Sequence, residues 1–411
     1  MAGTILGTKT GRVPGAVEGN FPVFDANGNL VDSGKSSKDV GYKLFGARWN
    51  KTLSPTALTR LHDSAGFTFT PSVGSTPGAS DFDTQPVYRD IRLCNVADGQ
   101  VTYYDDEPGF SRTPVAGDVM VEIPRYYYKI EDTPTYRDYL ISDKPLDGFL
   151  VSPRHAPHDG FPEGHDKIYV SAYTLNSAYR SVSGNQSLAN ITRAAARAGC
   201  SARGADYWQY DFATYWTINL LYLVEVADWD SQAAVGRGVA DWDSQTTVGQ
   251  GAIDTGGADN IPWHSGIPDG TDGKTAVKYR HMENLWGNIN SWCDGINFND
   301  ATSYICLDPI NYADDTDVNY TQLSYAKPVA NGVIKKLGID PTLPFAQICT
   351  DATGAYGTFV PDYYNRGSGW RVLVISAGHN SGNGAGLFYT NTSVASIYTN
   401  YTLAARLILL P

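Results

Sequence analysis

The stretch YRHMENLWGNINSWCDG at residues 279–295 sets Trp286 and Trp292 on either side of a Gly287-Asn288 turn. Two indoles this close give a core two large apolar anchors, and the turn between them needs the backbone freedom of glycine. A second stretch completes the reading. It opens with GSGWR at residues 367–371, passes through GNGAGLF at 382–388 and closes with RLIL at 406–409. Residues 372–405 carry no Asp, Glu, Lys or Arg, although 18% of the whole chain is charged. Over residues 379–402, fourteen of twenty-four positions are Asn, Ser, Thr or Tyr. Antibody-type paratopes use this composition: Tyr supplies contact area at low entropic cost, while Ser, Asn and Gly supply adaptable hydrogen bonds. An uncharged β-ribbon of a fibre shaft is the other structure it fits.

The first stretch resembles the GNVWEW phrase shared by formylglycine-generating-enzyme-like and C-type-lectin-like domains. The second resembles the variable region of proteins diversified by retroelements, a class that includes phage tropism determinants. Their shared frame is a WR pair, a Gly-rich turn, AG plus an aromatic, and a closing RL strand. Here these are Trp370-Arg371, residues 382–384, Ala385-Gly386 with Phe388, and Arg406-Leu407. The chain departs from the frame at His379, where an aromatic is usual, and at Ala404-Ala405, where a Gly is commoner. The resemblance covers roughly residues 118–411 and implies an α+β protein with a C-type-lectin-like C-terminal domain, its last forty or so residues forming a variable ligand-binding face. It implies a contact set of His379, Asn380, Ser381, Asn383, Tyr389, Asn391, Ser393, Ile397, Tyr398, Asn400 and Tyr401. Trp370, Arg371, Gly386, Phe388, Arg406 and Leu407 would hold the scaffold. In that class template adenines are replaced at random, so AAC codons become NNC codons, which cannot encode Trp, Lys, Glu, Gln or Met. None of the five occurs after Arg371.

Working outward, Asp211 stands as a potential cap before FATYWTINLLYLVEV, which is apolar on most faces and reads as the central packed helix. Residues 190–198, NITRAAARA, read as a second helix ending at Gly199. Residues 119–130 read as a strand in which Pro124 marks an edge or bulge, and residues 167–173 as another. After the central helix, VADWDSQAAVGRG at 226–238 is followed by VADWDSQTTVGQG at 239–251, with ten of thirteen positions identical. Two copies are too few for a solenoid, so a duplicated, tolerant surface loop is expected. Near the N-terminus FPVFDANGNLVDSG at 21–34 reads as strand, Asn-Gly turn, strand. It resembles the attachment region of tail-fibre proteins.

A net charge of −12 without a Lys/Arg cluster argues against nucleic acid or an anionic membrane as the main partner. The five cysteines lack CxxC spacing and are expected to be buried free thiols. No basic segment precedes an apolar run at the N-terminus, and no apolar run is long enough to span a bilayer. These features fit a protein made in a host cytoplasm without a signal peptide and released by lysis, and equally an ordinary cytoplasmic one.

Formylglycine-generating relatives need a reactive cysteine pair, and no Cys follows Thr350. A glycosidase needs two carboxylates flanking a sugar. Asp228, Asp230, Asp241 and Asp243 pair by sequence but sit in the duplication, and solvated loop charge is expected there. His155, His158 and His165 lack HExxH spacing. Asp308, Asp314, Asp315 and Asp317 lack EF-hand spacing. The EPN, QPD and WND triplets of calcium-dependent lectins are absent. No enzymatic activity, cofactor or metal is therefore expected. The expected organisation is a tail-attachment segment over 1–42, a β-rich linker domain over 43–117 and a C-type-lectin-like domain over 118–411. The function expected is that of a non-enzymatic receptor-binding protein in a virion tail fibre or tail tip. Its partners would be a host cell-surface protein or glycan and, through the N-terminus, other tail proteins, with homotrimerisation by analogy. A structural tail component without receptor binding and a tail-associated polysaccharide hydrolase are the alternatives.

Overall fold

The computed structural model describes residues 20–24, 30–36, 41–159, 161–242, 253–270 and 272–411. The N-terminal unit, residues 1–43, contains an antiparallel pair, β1 (Asn20–Phe24) and β2 (Leu30–Ser36). This matches the two strands expected; the Asn27-Gly28 turn lies outside the described residues.

The second unit, residues 44–411, begins with β3 (Leu44–Asn50), β4 (Thr59–His62), β5 (Arg92–Ala97) and β6 (Gln100–Tyr104). Then come β7 (Asp118–Pro124), β8 (Tyr127–Asp132), β9 (Tyr136–Ser142), β10 (Leu150–Val151) and β11 (Lys167–Ser171). Helix α1 (Arg193–Ser201), β12 (Tyr207–Gln209) and helix α2 (Phe212–Val226) follow. The C-terminal part holds β13 (Asn290–Asn299), β14 (Thr302–Ile305), β15 (Thr321–Gln322), β16 (Gly332–Val333) and β17 (Tyr363–Arg366). It ends with β18 (Trp370–Ile375), β19 (Thr390–Val394), β20 (Leu403–Ala404) and β21 (Leu407–Leu409). The fold is α+β. No helix among the described residues is long and apolar enough to cross a membrane.

Three sheets hold most of the strands, and α2 packs against β9 and β3 of the second and β13 of the third. One is antiparallel in the order β12-β21-β11-β7-β5-β6, and a second runs β10-β8-β9-β3-β4. The third, β15-β14-β13-β18-β19-β17-β16 with β20 alongside β13, carries the charge-free C-terminal stretch. The division expected at 117/118 falls inside the first two sheets: β5 pairs with β7 and β3 with β9. Residues 44–117 therefore share their hydrogen-bond ladders with the rest of the unit. Pro124 ends an inner strand instead of marking an edge; as the last residue of β7 it faces Lys167, where a missing N–H costs no ladder bond.

Every residue of α2 is buried. The Asp211 carboxylate accepts the Thr214 amide at 2.7 Å, and Ala227 closes the helix in the left-handed region at φ 56°. Such a helix needs its polar groups answered from outside. Glu225, fully buried, accepts from Ser80 and Tyr279 hydroxyls and from the Arg280 guanidinium. Helix α1 differs from its expected bounds. The Thr192 hydroxyl caps it by accepting the Ala195 amide at 3.1 Å, and it continues through Gly199 to Ser201. A Cβ at Gly199 would meet the Tyr179 ring at 2.0 Å, so the glycine there makes room for the ring.

The duplicated segment corrects an expectation. Its first copy lies in the core: Trp229 is 0% exposed, with ring centroids 5.1 Å from Trp49 and 4.6 Å from Phe388. In the second copy Val239 and Ala240 are buried, and their carbonyls accept the Asn288 and Gly382 amides. Residues 243–251 lie outside the described residues. The paired Trp of the GNIN phrase behave as anchors should. Trp286 and Trp292 are both 0% exposed and donate to the carbonyls of Gly236 and Ile191 at 3.0 Å. Gly287, at φ 77°, approaches the Val239 backbone so closely that a Cβ would lie 2.7 Å from its oxygen.

Candidate functional site

The C-terminal stretch begins on β18, which lies between β13 and β19. Its frame rests on two buried polar groups. The Asp362 carboxylate accepts the Phe388 amide at 2.7 Å and sits where any Cβ on Gly386 would have to go, 1.9 Å away. Burial holds this carboxyl well above the usual range. The Arg406 guanidinium is 1% exposed and forms no ion pair within 4 Å among the described residues, the Glu283 carboxylate acting on it from farther off. It donates instead to backbone carbonyls, Asn284 at 3.1 Å, Ser171 at 3.3 Å and Glu283. Burial pushes it down to about 10. Phe388 and Leu407 are core residues, the phenyl ring meeting Trp229, Tyr222 and Trp216. Trp370 and Arg371 depart from the scaffold role expected of them. Trp370 is only half-buried, lying 5.7 Å from the Tyr304 ring, and Arg371 opens onto a cleft.

The expected contact residues divide three ways. His379 and Tyr389 are buried, 4% and 8% exposed, so neither belongs to an open face. The His379 carbonyl accepts the Trp242 amide at 2.8 Å, and burial lowers its imidazole. Tyr389 packs against Ala240, Ala377 and Ala385, and its hydroxyl accepts from Asn365 at 3.1 Å. A second group borders a cleft of about 450 Å³: Asn391, Ser393, Tyr398 and Asn400. The third group stands apart from it. Asn383 lines a separate cleft of about 360 Å³ beside Arg237, which donates to its side-chain oxygen at 2.9 Å. Asn380 is exposed, Ser381 is half-buried with its hydroxyl accepting the Gly378 amide at 3.1 Å, and Ile397 and Tyr401 are 81% and 38% exposed.

The larger cleft is built on two Asx turns. The Asn391 side-chain oxygen accepts the Ser393 amide at 2.9 Å and hydroxyl at 2.7 Å. The Asn400 oxygen accepts the Thr402 amide at 2.9 Å and hydroxyl at 2.8 Å, while its NH₂ donates to the Tyr398 hydroxyl at 2.9 Å. Asn and Ser favour this local bonding over a regular ladder, which fixes their side chains before any ligand arrives. Ser396 fastens the Tyr398 loop from below by donating to Asp315 at 2.5 Å. Asn290 and Arg371 complete the wall and were missed as contacts.

The groups weighed for chemistry have the following surroundings. His158 and His165 face each other at 3.1 Å, and His165 reaches the Pro411 carbonyl at 2.8 Å. Burial pushes His155 down to about 3 and His165 to about 4, so both are neutral at ordinary pH. Among the described residues no group of three or more His, Cys, Asp or Glu side chains could hold a metal ion. Asp314 pairs with Arg193 and Arg197, and Asp308 caps a short helical turn. The acids of the duplication are not simply solvated. Asp228 is half-buried and raised by burial, Asp230 caps a short helix by accepting from Ala233, and Asp241 pairs with Arg237. Asp243 lies outside the described residues. All five cysteines are free and buried. No protein-family model matches the chain, and no curated protein matches it.

Proposed function

We propose that the chain is a receptor-binding protein of a phage tail, with a C-type-lectin-like C-terminal region that binds a host surface molecule without acting on it chemically. One observation carries this reading. The charge-free stretch separates into a buried frame and an open set in which Asn380, Asn383, Ile397, Tyr398 and Tyr401 stand exposed, Tyr398 and Asn383 each lining a cleft. A shaft ribbon would bury its aromatics between copies, whereas a paratope offers Tyr beside adaptable amides and hydroxyls. The resemblance of this stretch to retroelement-diversified variable regions supports the same reading, as does the likeness of residues 21–34 to tail-attachment segments. The proposal includes anchoring of the N-terminal segment to other tail proteins, homotrimerisation and residence in the virion. Many weak sites would then act together through avidity.

Measuring melting and host-cell adsorption on the same variants tests the proposal. Tyr398→Ala and Asn383→Ala should change stability by less than about 0.5 kcal/mol, as exposed substitutions do. At least one should reduce adsorption tenfold or more, because Tyr is a frequent hot-spot residue. Parent-like adsorption by both variants, or early melting of both, would reject the receptor-binding reading.

A further inference from the structure

We infer that the 450 Å³ cleft between Arg371 and Tyr398 is a site for an anionic saccharide, whose acid group the Arg371 guanidinium takes and whose hydroxyls the flanking amides hold. This rests on the receptor-binding reading and names the ligand class for it.

The first ground is the guanidinium itself. Arg371 Nη1 donates to the Trp370 carbonyl at 2.6 Å, but Nε is buried with no partner. Gly367 lies against it, where an added Cβ would be 2.8 Å from Nε. A guanidinium's planar fork matches a carboxylate or phosphate better than any neutral group.

The second ground is the local field. The chain carries a net charge of −12, yet Arg366 and Arg371 lie close enough to Lys327 to disfavour its charge, and none of the three forms an ion pair among the described residues. Lys327 is 3% exposed and meets the Thr392 hydroxyl at 3.2 Å and the face of the Phe298 ring at 4.3 Å. Thr392 is buried on β19 between Asn391 and Ser393, which line the cleft, so the ammonium lies behind the cleft's wall. Burial, then the charges of Arg366 and Arg371, push Lys327 down to about 7. The carboxylate that opposes this, Asp300, accepts the Gly369 amide at 2.8 Å. The overall negative charge of the chain is screened beyond about 8–10 Å at physiological ionic strength, so groups at the cleft outweigh it, and Arg371 is the charged side chain in its lining.

The third ground is the rest of the wall. Beside Val374, Val394, Ala395 and Leu403, the groups Asn290, Asn391, Asn400, Ser393 and Thr402 are neutral and hydrogen-bonding, and Tyr398, a residue 46% exposed, adds an aromatic ring. Amides held in fixed orientation suit adjacent sugar hydroxyls, and a tyrosine face suits the C–H side of a pyranose ring. The volume lies within the range of small-molecule sites.

Calorimetric titration of the full chain with a glucuronate-terminated disaccharide, its methyl ester and a glucose 6-phosphate-terminated disaccharide tests the inference. The parent should bind at least one anionic probe tenfold or more tighter than the ester. A preference for glucuronate assigns the anion as carboxylate, and a preference for the phosphorylated probe assigns it as phosphate. Arg371→Gln should bind acid and ester alike, and Arg371→Lys should recover only part of the difference. Because each variant is compared with itself on charged and neutral probes, a change in the amount of folded protein does not mimic the result. Equal binding of all probes by the parent, or discrimination that survives in Arg371→Gln, overturns the inference. If Tyr398→Ala still lowers adsorption in that case, receptor binding stands and only the ligand class falls.

Discussion

Lys327 couples the cleft to the stability of the fold. Its folded value of about 7 lies below that of an unfolded lysine, near 10.4. Between those values the unfolded chain holds a proton that the folded chain has lost, so this group makes stability rise with pH across that window. Lys327→Met keeps an apolar contact with Phe298 and does not titrate. The variant should exceed the parent in stability most at pH 6, and the gap should narrow by pH 10. Denaturant unfolding at pH 6, 8 and 10 checks this, and a pH-independent gap would mean the ammonium stays charged in the fold. At this scale the sequence was legible wherever a residue's neighbours were local. Phe388 and Leu407 stand among apolar residues and were placed correctly. His379 and Tyr389 were not, because what buries them arrives from distant parts of the chain: Trp242 bonds the first, while Ala240 and Asn365 meet the second.

At the scale of elements, α2 could be read because its signals are self-contained, an Asp cap followed by fifteen residues apolar on most faces. The duplicated segment could not, since copies matching at ten of thirteen positions do not occupy equivalent surroundings. Trp229 is wedged among Trp49, Tyr139 and Phe388, while its counterpart Trp242 is half-buried near His379. Deleting residues 239–251 therefore removes more than loop length. The amides of Asn288 and Gly382 lose their acceptors, as does the Arg237 guanidinium its Asp241 partner. Each buried group left unpaired costs about 1–3 kcal/mol, so the deletion should destabilise the protein by several kcal/mol. Parent-like thermal melting of the deletion would show that these bonds contribute little to stability.

Over the whole molecule, the α+β class was legible and the partition was not. Strands of four to seven residues announce themselves by composition, but nothing local states that β3 will pair with β9 across some ninety residues, as Arg48 and Asp138 do. A fragment of residues 118–411 should consequently fail to fold, because β7 and β9 would lose β5 and β3. Residues 44–411 should melt in one cooperative transition. Circular dichroism of the two fragments decides between this and an independent domain starting at 118. The same long-range economy has a temporal side. Strand β21, at residues 407–409, is an inner member of its sheet, between β12 and β11. A ribosome delivers those residues after every strand they join, so the sheet stays split, with Val170 and Trp208 lacking their shared partner Ile408, until translation has passed the charge-free stretch. A message interrupted inside that stretch yields a chain with two raw strand edges, the kind of surface that aggregates or is degraded. Synthesis thereby makes closure of this sheet depend on an intact reading frame through the charge-free stretch.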